Sequence, residues 1–335
     1  MENGGLPEVS KLTCALVAVA IVCALCGCAT REPALLPLLP GGSSAVEISA
    51  TPFYPATGHS PGAAALAMML TASGVSATPA ELSPLLYSPA LHDTVGALAA
   101  LPPRFGRVAY RIAPDLPALL VELAAGHPVL VQLSRSRSLL SEWHFAVVVG
   151  YEVRTDTIVV REASRRRRAL RARDFMSAWG NADRWGMLVL RPGELPAAVS
   201  TESYLHAAIE FERHARPEDS LLVFEAALRR WPDEPLAWMG RAVARLQAGD
   251  RTAAASDFTT SLRIDGSNAL ARNGLALTLL DLGCIHEAQS QIDKIREYAL
   301  ADPLRSTIEG SRNRISARSQ VPLVQESPVC TRFGY

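Results

Sequence analysis

The stretch "FYPATGHSPGAAAL", residues 53–66, determines how the first part of the chain is interpreted. An extended aromatic entry leads through a Gly/Pro turn into a run of small residues. Residues 62–73 are good helix formers and end at Gly74, which is typical of a helix C-terminus. A nucleophile placed just before such a helix would lie at the positive end of its dipole, where a thiolate is stabilised. The stretch contains no cysteine.

More helices and then strands follow this segment. Residues 78–86, "TPAELSPLL", begin with a capping box formed by Thr78 and Glu81, and residues 115–126 form an amphipathic pattern of helical period. Short β-branched runs then predict strands at 127–133, 143–153, 156–163 and 184–192. Helices that precede an antiparallel sheet predict an α+β domain, which we place at residues 46–195.

The order and spacing of these segments resemble cysteine peptidase family 39, the papain-like peptidases that process bacteriocin leaders. The resemblance covers residues 50–195 and is closer still to a lipoprotein branch in which tetratricopeptide repeats follow this domain. It implies that His144, in "WHFAVVVGY", is the general base. It also implies that Glu162, in "VVREA", is the acid that orients this base.

The same resemblance identifies two positions that lack the group the chemistry needs. "PGAAAL" puts Pro61 at the position of the nucleophilic cysteine and Ala56 at the position of the oxyanion-hole glutamine. Proline has neither a thiol nor a backbone N–H, and loss of one oxyanion donor alone costs on the order of 10²–10³ in rate. Because two requirements of cysteine peptidase catalysis fail together, we expect a domain without peptidase activity.

The alternative interpretation is that the domain is an active peptidase. Ser60 would replace the cysteine and form a Ser-His-acid triad with His144 and Glu162, or an unrecognised nucleophile would act. Against this, Ser60 before Pro61 is also the usual sequence of a helix N-cap, and His144 can be a rim histidine satisfied by Glu162. A third interpretation gives this domain no ligand at all. His127 is expected to be a turn residue without a partner.

The N-terminal 28 residues predict export and lipidation. An apolar run of signal-peptide length ends in "LCGC", residues 25–28, which resembles a bacterial lipobox. The resemblance implies cleavage before Cys28 and a lipid on its sulfur that anchors the protein to a membrane; the alternative is an uncleaved anchor. Residues 29–45 predict a linker. We expect a bacterial envelope protein that faces the periplasm. Thr30 favours the outer membrane over the inner one.

A second module begins beyond residues 191–197, where strand patterns stop and the sequence repeats with a period of 34. The recurring residues are Phe224, Phe258 and Ile292; Ala208, Ala242 and Ala276; and Gly249 and Gly283. The pattern resembles tetratricopeptide repeats, about three of them over residues 200–305. Such repeats form an all-α solenoid whose groove binds a protein or peptide partner. Residues 306–335 show no periodicity and are expected to be a disordered tail.

The composition argues against several other functions. Lys+Arg and Asp+Glu both number 33, so nothing in the charge balance indicates a nucleic-acid partner, and the run "RRRR" at 165–168 is expected to be a solvated hairpin. Only Cys284 and Cys330 follow the lipobox, too few for a zinc site, and whether they pair stays open. We expect no cofactor and no metal. The predicted function is binding, and the alternative is an active peptidase of this family.

Overall fold

The computed structural model describes residues 34–37, 43–86, 94–137, 140–162, 164–296, 301–320 and 328–333. The predicted signal peptide, the lipobox and Cys28 lie outside the described residues. Residues from Leu36 onward form one compact unit. Among the described residues, no helix is both long enough and apolar enough to cross a bilayer.

An antiparallel sheet organises the first module. Its strands are β1 (Ala45–Glu47), β2 (Val108–Arg111), β3 (Val129–Arg137), β4 (Leu140–Glu152), β5 (Thr157–Glu162), β6 (Arg165–Arg171) and β7 (Gly186–Leu190). The order across the sheet is β2-β7-β3-β4-β5-β6, and β1 pairs with the end of β4. The four predicted strands are present as β3, β4, β5 and β7, whereas β1, β2 and β6 were not predicted. The arginine run lies in β6, at an edge of the sheet.

Five helices of the described chain belong to this module: α1 (Pro61–Ala72), α2 (Pro79–Leu86), α3 (Thr94–Ala100), α4 (Leu116–Ala124) and α5 (Ala172–Gly180). Both N-caps predicted from the sequence are formed. The N–H of Ala63 donates to Oγ of Ser60 (2.9 Å), and Thr78 and Glu81 exchange backbone and side-chain hydrogen bonds of 2.9 and 3.3 Å. The predicted α+β class is therefore confirmed.

The two faces of the sheet are buried in different cores. Successive side chains of a strand point to opposite faces. Along β4, Ala146 and Val148 enter the core formed with α4 and α5, whereas Phe145 and Val147 enter the core under α1. Before the bulge between Val148 and Gly150, this alternation places His144 on the same face as Ala146 and Val148.

Paired helices follow the sheet. They are α6 (Thr201–Glu212), α7 (Pro217–Arg230), α8 (Pro235–Gln247), α9 (Arg251–Ile264), α10 (Ala269–Asp281) and α11 (Ile285–Asp293). The contacts between pairs repeat with the period of the sequence. A Cβ atom at Gly240 would overlap the ring of Phe224, and one at Gly274 would lie 2.6 Å from Cζ of Phe258. Small residues at this position let successive pairs approach closely, so the predicted all-α repeat stack is confirmed.

The prediction of a disordered tail over residues 306–335 is wrong for its described part. Helix α12 (Asp302–Ser319) packs Ile308 and Ile315 into the core of the last repeats. Its sequence gave no clear helical pattern because these two buried residues are seven positions apart in an otherwise polar segment. The predicted boundary at residue 305 therefore falls inside a helix.

A disulfide closes the C-terminal end of the stack. Cys284 and Cys330 are bonded, with their Cα atoms 5.2 Å apart and a sequence separation of 46. Glu287 lies close to these two sulfurs, and one glutamate with two cysteines is a set of residue types that can bind a metal ion. Because the two sulfurs are bonded to each other, they are not available as thiolate ligands. The pairing that the sequence left open is therefore present.

The predicted linker is also partly folded. Leu36, inside the predicted range 29–45, is buried in the core of the first module, and its N–H donates to Oδ1 of Asp156 (2.9 Å). Strand β1 begins at Ala45, one residue before the predicted domain. A Pro/Gly-rich composition predicted a linker, but the described part of this segment contacts the domain through Leu36 and through the carbonyls of Ser43 and Ser44, which accept hydrogen bonds from Tyr151 and Val153.

Candidate functional site

The structure brings the predicted base and acid together. His144 on β4 and Glu162 on β5 lie on the same face of the sheet, since Glu162 is directly opposite Ala146. Nε2 of His144 and Oε2 of Glu162 are 3.0 Å apart. Glu162 is 1% exposed, and its other oxygen accepts a 2.5 Å hydrogen bond from Nη1 of Arg168 on β6. Arg168 had not been predicted to be part of this group.

The carboxylate of Glu162 is strongly stabilised as an anion. Burial raises the pKa of Glu162, but hydrogen bonds from His144 and Arg168 together with the charge of Arg168 outweigh burial and leave this pKa at about 2. At neutral pH, Glu162 therefore orients His144 as an ionised hydrogen-bond acceptor. An acid that orients a catalytic histidine needs this arrangement. The same arrangement is also found where a buried carboxylate is simply neutralised by two hydrogen-bond partners and has no catalytic role.

A nucleophile is missing from this group. Within the described parts of the chain, the buried Nδ1 atom of His144 has no hydrogen-bond partner, while its Nε2 atom is bound to Glu162. Oγ of Ser60 accepts the N–H of Ala63 and caps helix α1. A catalytic triad requires a hydrogen bond of about 2.6–3.2 Å between nucleophile and base, and Ser60 does not make it.

The faces of the sheet account for this separation. His144 lies on the face of Ala146 and Val148, whereas α1 covers the opposite face. Pro61 begins α1, and the carbonyl of Ala56 accepts the N–H of His59 in the turn before it (3.3 Å). Neither the side chain of Pro61 nor that of Ala56 has a donor for an oxyanion.

The prediction that His127 is a turn residue without a partner is wrong. Its Nδ1 atom lies 2.7 Å from Oε2 of Glu122, and its Nε2 atom lies 3.2 Å from Oε1 of Glu194. Hydrogen bonds to these two carboxylates raise the pKa of His127 to about 9, although burial opposes this rise. Glu122 is fully buried and also accepts the N–H groups of Ala197 and Ala198 (3.1 and 2.8 Å). This network joins the end of α4 to the segment that leads into α6.

A cavity of about 590 Å³ lies between the first module and helix α6. We call it the junction pocket. Its walls come from α3, the adjoining 3₁₀ turn, β2, β7 and α6, and its lining residues are Val95, Gly96, Ala99, Pro103, Ala109, Arg111, Trp185, Met187, Glu202, Ser203, His206, Ala207 and Glu210. Sequence reasoning missed this pocket because these residues come from separate segments, with no shared motif.

Two exposed leucines mark the repeat module. Leu236 and Leu270 stand at the same repeat position of α8 and α10, and they are 37% and 51% exposed. Two exposed large apolar side chains at one repeat position are the kind of feature by which a helical stack contacts a partner.

Comparisons with known proteins give structural similarity only. No protein-family model matches the chain, and no curated protein matches it. The chain is similar in structure to a C39-like peptidase from Bacillus anthracis, with a TM-score of 0.37 and 15% identity over 44% of this chain and 98% of that chain. It is similar to the TPR2B domain of yeast Sti1, solved with pHsp70, with a TM-score of 0.33 and 14% identity over 35% of this chain and 97% of that chain. It is also similar to the translocator chaperone SycD of Yersinia enterocolitica, with a TM-score of 0.33 and 18% identity over 37% of this chain and 90% of that chain.

Proposed function

We propose that the protein is a lipoprotein of the bacterial envelope that binds protein or peptide partners. Its first module is a peptidase-like domain without peptidase activity, and its helix pairs are a tetratricopeptide-repeat module. We place it on the periplasmic side of the outer membrane, anchored through Cys28. One observation carries the loss of activity. The residue before α1, Ser60, uses its hydroxyl as a helix cap, and Nδ1 of His144 has no partner in the described chain.

The chemistry of peptide cleavage supports this proposal. Attack on a peptide bond needs an activated nucleophile next to its base and hydrogen-bond donors for the developing oxyanion. Pro61 has no nucleophilic atom and no N–H, and Ala56 has no side-chain donor. Within the part of the chain that the structure describes, the pair of His144 and Glu162 contacts no nucleophile, and the ionised carboxylate of Glu162 also accepts a hydrogen bond from Arg168.

The binding role is supported by the repeat module. Leu236 and Leu270 expose apolar surface at a spacing set by the repeats, and each begins a helix whose later residues pack on the preceding pair. Such an array suits an extended or helical segment of another protein better than a small solute.

A covalent probe tests the absence of a nucleophile–base pair. Residues 34–335 are incubated with a fluorophosphonate, and the intact mass is recorded for the wild type and for the Ser60→Ala and His144→Ala variants. We expect no adduct on Ser60, because a hydroxyl without a base is a weak nucleophile. An adduct on Ser60 that disappears in His144→Ala would establish the triad and overturn the proposal.

The anchor is tested separately. The full chain and its Cys28→Ser variant are expressed in a bacterial host that is fed radiolabelled palmitate. We expect label in the wild-type chain and none in the variant, with the wild type recovered in the outer-membrane fraction. An unlabelled wild-type chain would refute the lipoprotein assignment and leave the binding role to be judged on its own.

A further inference from the structure

The junction pocket has the size and floor of a small-ligand site. Its volume of about 590 Å³ falls within the roughly 300–1,000 Å³ that such sites occupy. Trp185 and Met187 from the β7 segment form an apolar floor with Ala109, and Val95 and Ala99 of α3 add an apolar wall. A ligand that fits here must therefore have an apolar body.

The opposite wall, helix α6, departs from the other repeats at the positions that face the pocket. Gly240 and Gly274 receive the phenylalanine of the preceding pair, and the residue at this repeat position in α6 is His206. Ala244 is fully buried in α8, and the corresponding residue of α6 is Glu210. In the described chain, α6 is the first helix of the repeat stack, so this face of the helix meets the cavity and carries polar side chains.

The pocket carries charges of both signs. Arg111, on β2, and Glu202, on α6, both line it. In the described part of the chain, neither side chain has a hydrogen bond or an ion pair. Glu210 also lines the pocket and pairs with the exposed Arg213, at 3.2 Å. A guanidinium binds a carboxylate through two parallel hydrogen bonds, and a carboxylate binds an ammonium group.

We propose that the junction pocket binds a short peptide with two free ends. The carboxylate end pairs with Arg111, the ammonium end pairs with Glu202, and apolar side chains cover Trp185 and Met187. A purely anionic or purely cationic ligand would leave one of these two charges unmatched, whereas a peptide with apolar side chains matches both. The site is separate from the pair of His144 and Glu162, and its occupancy depends neither on the lipid anchor nor on the partner of the repeats.

Calorimetry with a defined peptide tests this site. The three hydrophobic cores lie within residues 36–333, so residues 34–335 contain the folded body. The probe is Ala-Leu-Leu-Ala with free ends, compared with the same peptide acetylated at one end or amidated at the other. We expect the free peptide to bind and each single modification to weaken binding about two- to fivefold, since each removes one charge pair with an exposed side chain.

Two variants assign the ends of the peptide. In Arg111→Gln, amidation of the peptide should no longer change the affinity; in Glu202→Gln, acetylation should no longer change it. Both residues are exposed, as are those changed in the control variants Arg251→Gln and Glu218→Gln, which lie outside the pocket. The controls should bind like the wild type. Absence of binding, equal binding of the modified peptides, or an unchanged response of the two pocket variants would each overturn the proposal.

Discussion

The network around His127 makes the stability of the protein depend on pH in a specific direction. The folded state holds this imidazole between the carboxylates of Glu122 and Glu194, and its pKa is about 9 instead of the 6.5 of an unstructured histidine. The folded state therefore binds this proton more tightly than the unfolded state. At about 1.4 kcal/mol per pKa unit, the difference corresponds to about 3 kcal/mol.

The sign follows from linkage. Because the pKa of His127 is raised by folding, its contribution is fully present below pH 6.5 and is lost as the pH rises through about 9. The pKa of Glu194 is lowered, first by its hydrogen bond with His127, so this carboxylate stays ionised throughout that range. The junction between α4 and the segment before α6 is therefore expected to weaken in alkaline solution.

Urea unfolding at about pH 6 and about pH 10 measures this effect. We expect the free energy of unfolding of the wild type to fall by about 3 kcal/mol more than that of His127→Gln, which has no proton to lose. His214→Gln, at an exposed histidine, is the matched control and should behave like the wild type. If the wild type and His127→Gln lose stability equally between these two pH values, the reasoning is refuted.

Two further predictions concern the repeat module. Gly240→Ala should lower the free energy of unfolding by about 1–3 kcal/mol because the added Cβ overlaps the ring of Phe224. The control Gly310→Ala, whose Cβ has no atom within 4 Å, should not destabilise the protein. Equal urea midpoints for the two variants would contradict the close packing of Gly240 on Phe224. Cys330→Ser should lower the free energy of unfolding by about 4 kcal/mol, the chain-entropy value for a loop of 46 residues closed by the disulfide. An unfolding curve identical to that of the oxidised wild type would show that the bond to Cys284 does not constrain the unfolded chain.

Most of the fold could be predicted from local sequence patterns. The Ser60–Pro61 cap, the Thr78–Glu81 box and the period of 34 each depend on residues close in sequence, or on repetition, and each is present in the structure. Helix α12 escaped detection because its few apolar residues gave no clear period, so only its tertiary contacts reveal it.

The candidate site could be predicted only in part. The resemblance to cysteine peptidase family 39 implied roles for His144 and Glu162, and the structure shows that these two side chains are hydrogen-bonded to each other. The sequence predicts Arg168 as part of a solvated run, because nothing in it shows which arginine turns inward. In the structure, Arg168 lies opposite Val160 and its guanidinium donates to Glu162, whereas Arg165 is the residue directly opposite Glu162. The pairing of His127 with Glu194 was missed because Glu194 comes from a distant segment, and the pairing with Glu122, five residues earlier, depends on how the chain turns after α4.

Turnover of a quenched fluorescent peptide library by residues 34–335 tests the central claim most directly. The wild type is assayed beside His144→Ala and Ser60→Ala, at equal protein concentration and with the same purification. The account predicts no cleavage above the buffer rate by any of the three proteins, since no nucleophile of the described residues is paired with His144. Cleavage by the wild type that disappears in either variant would contradict the account and restore the peptidase.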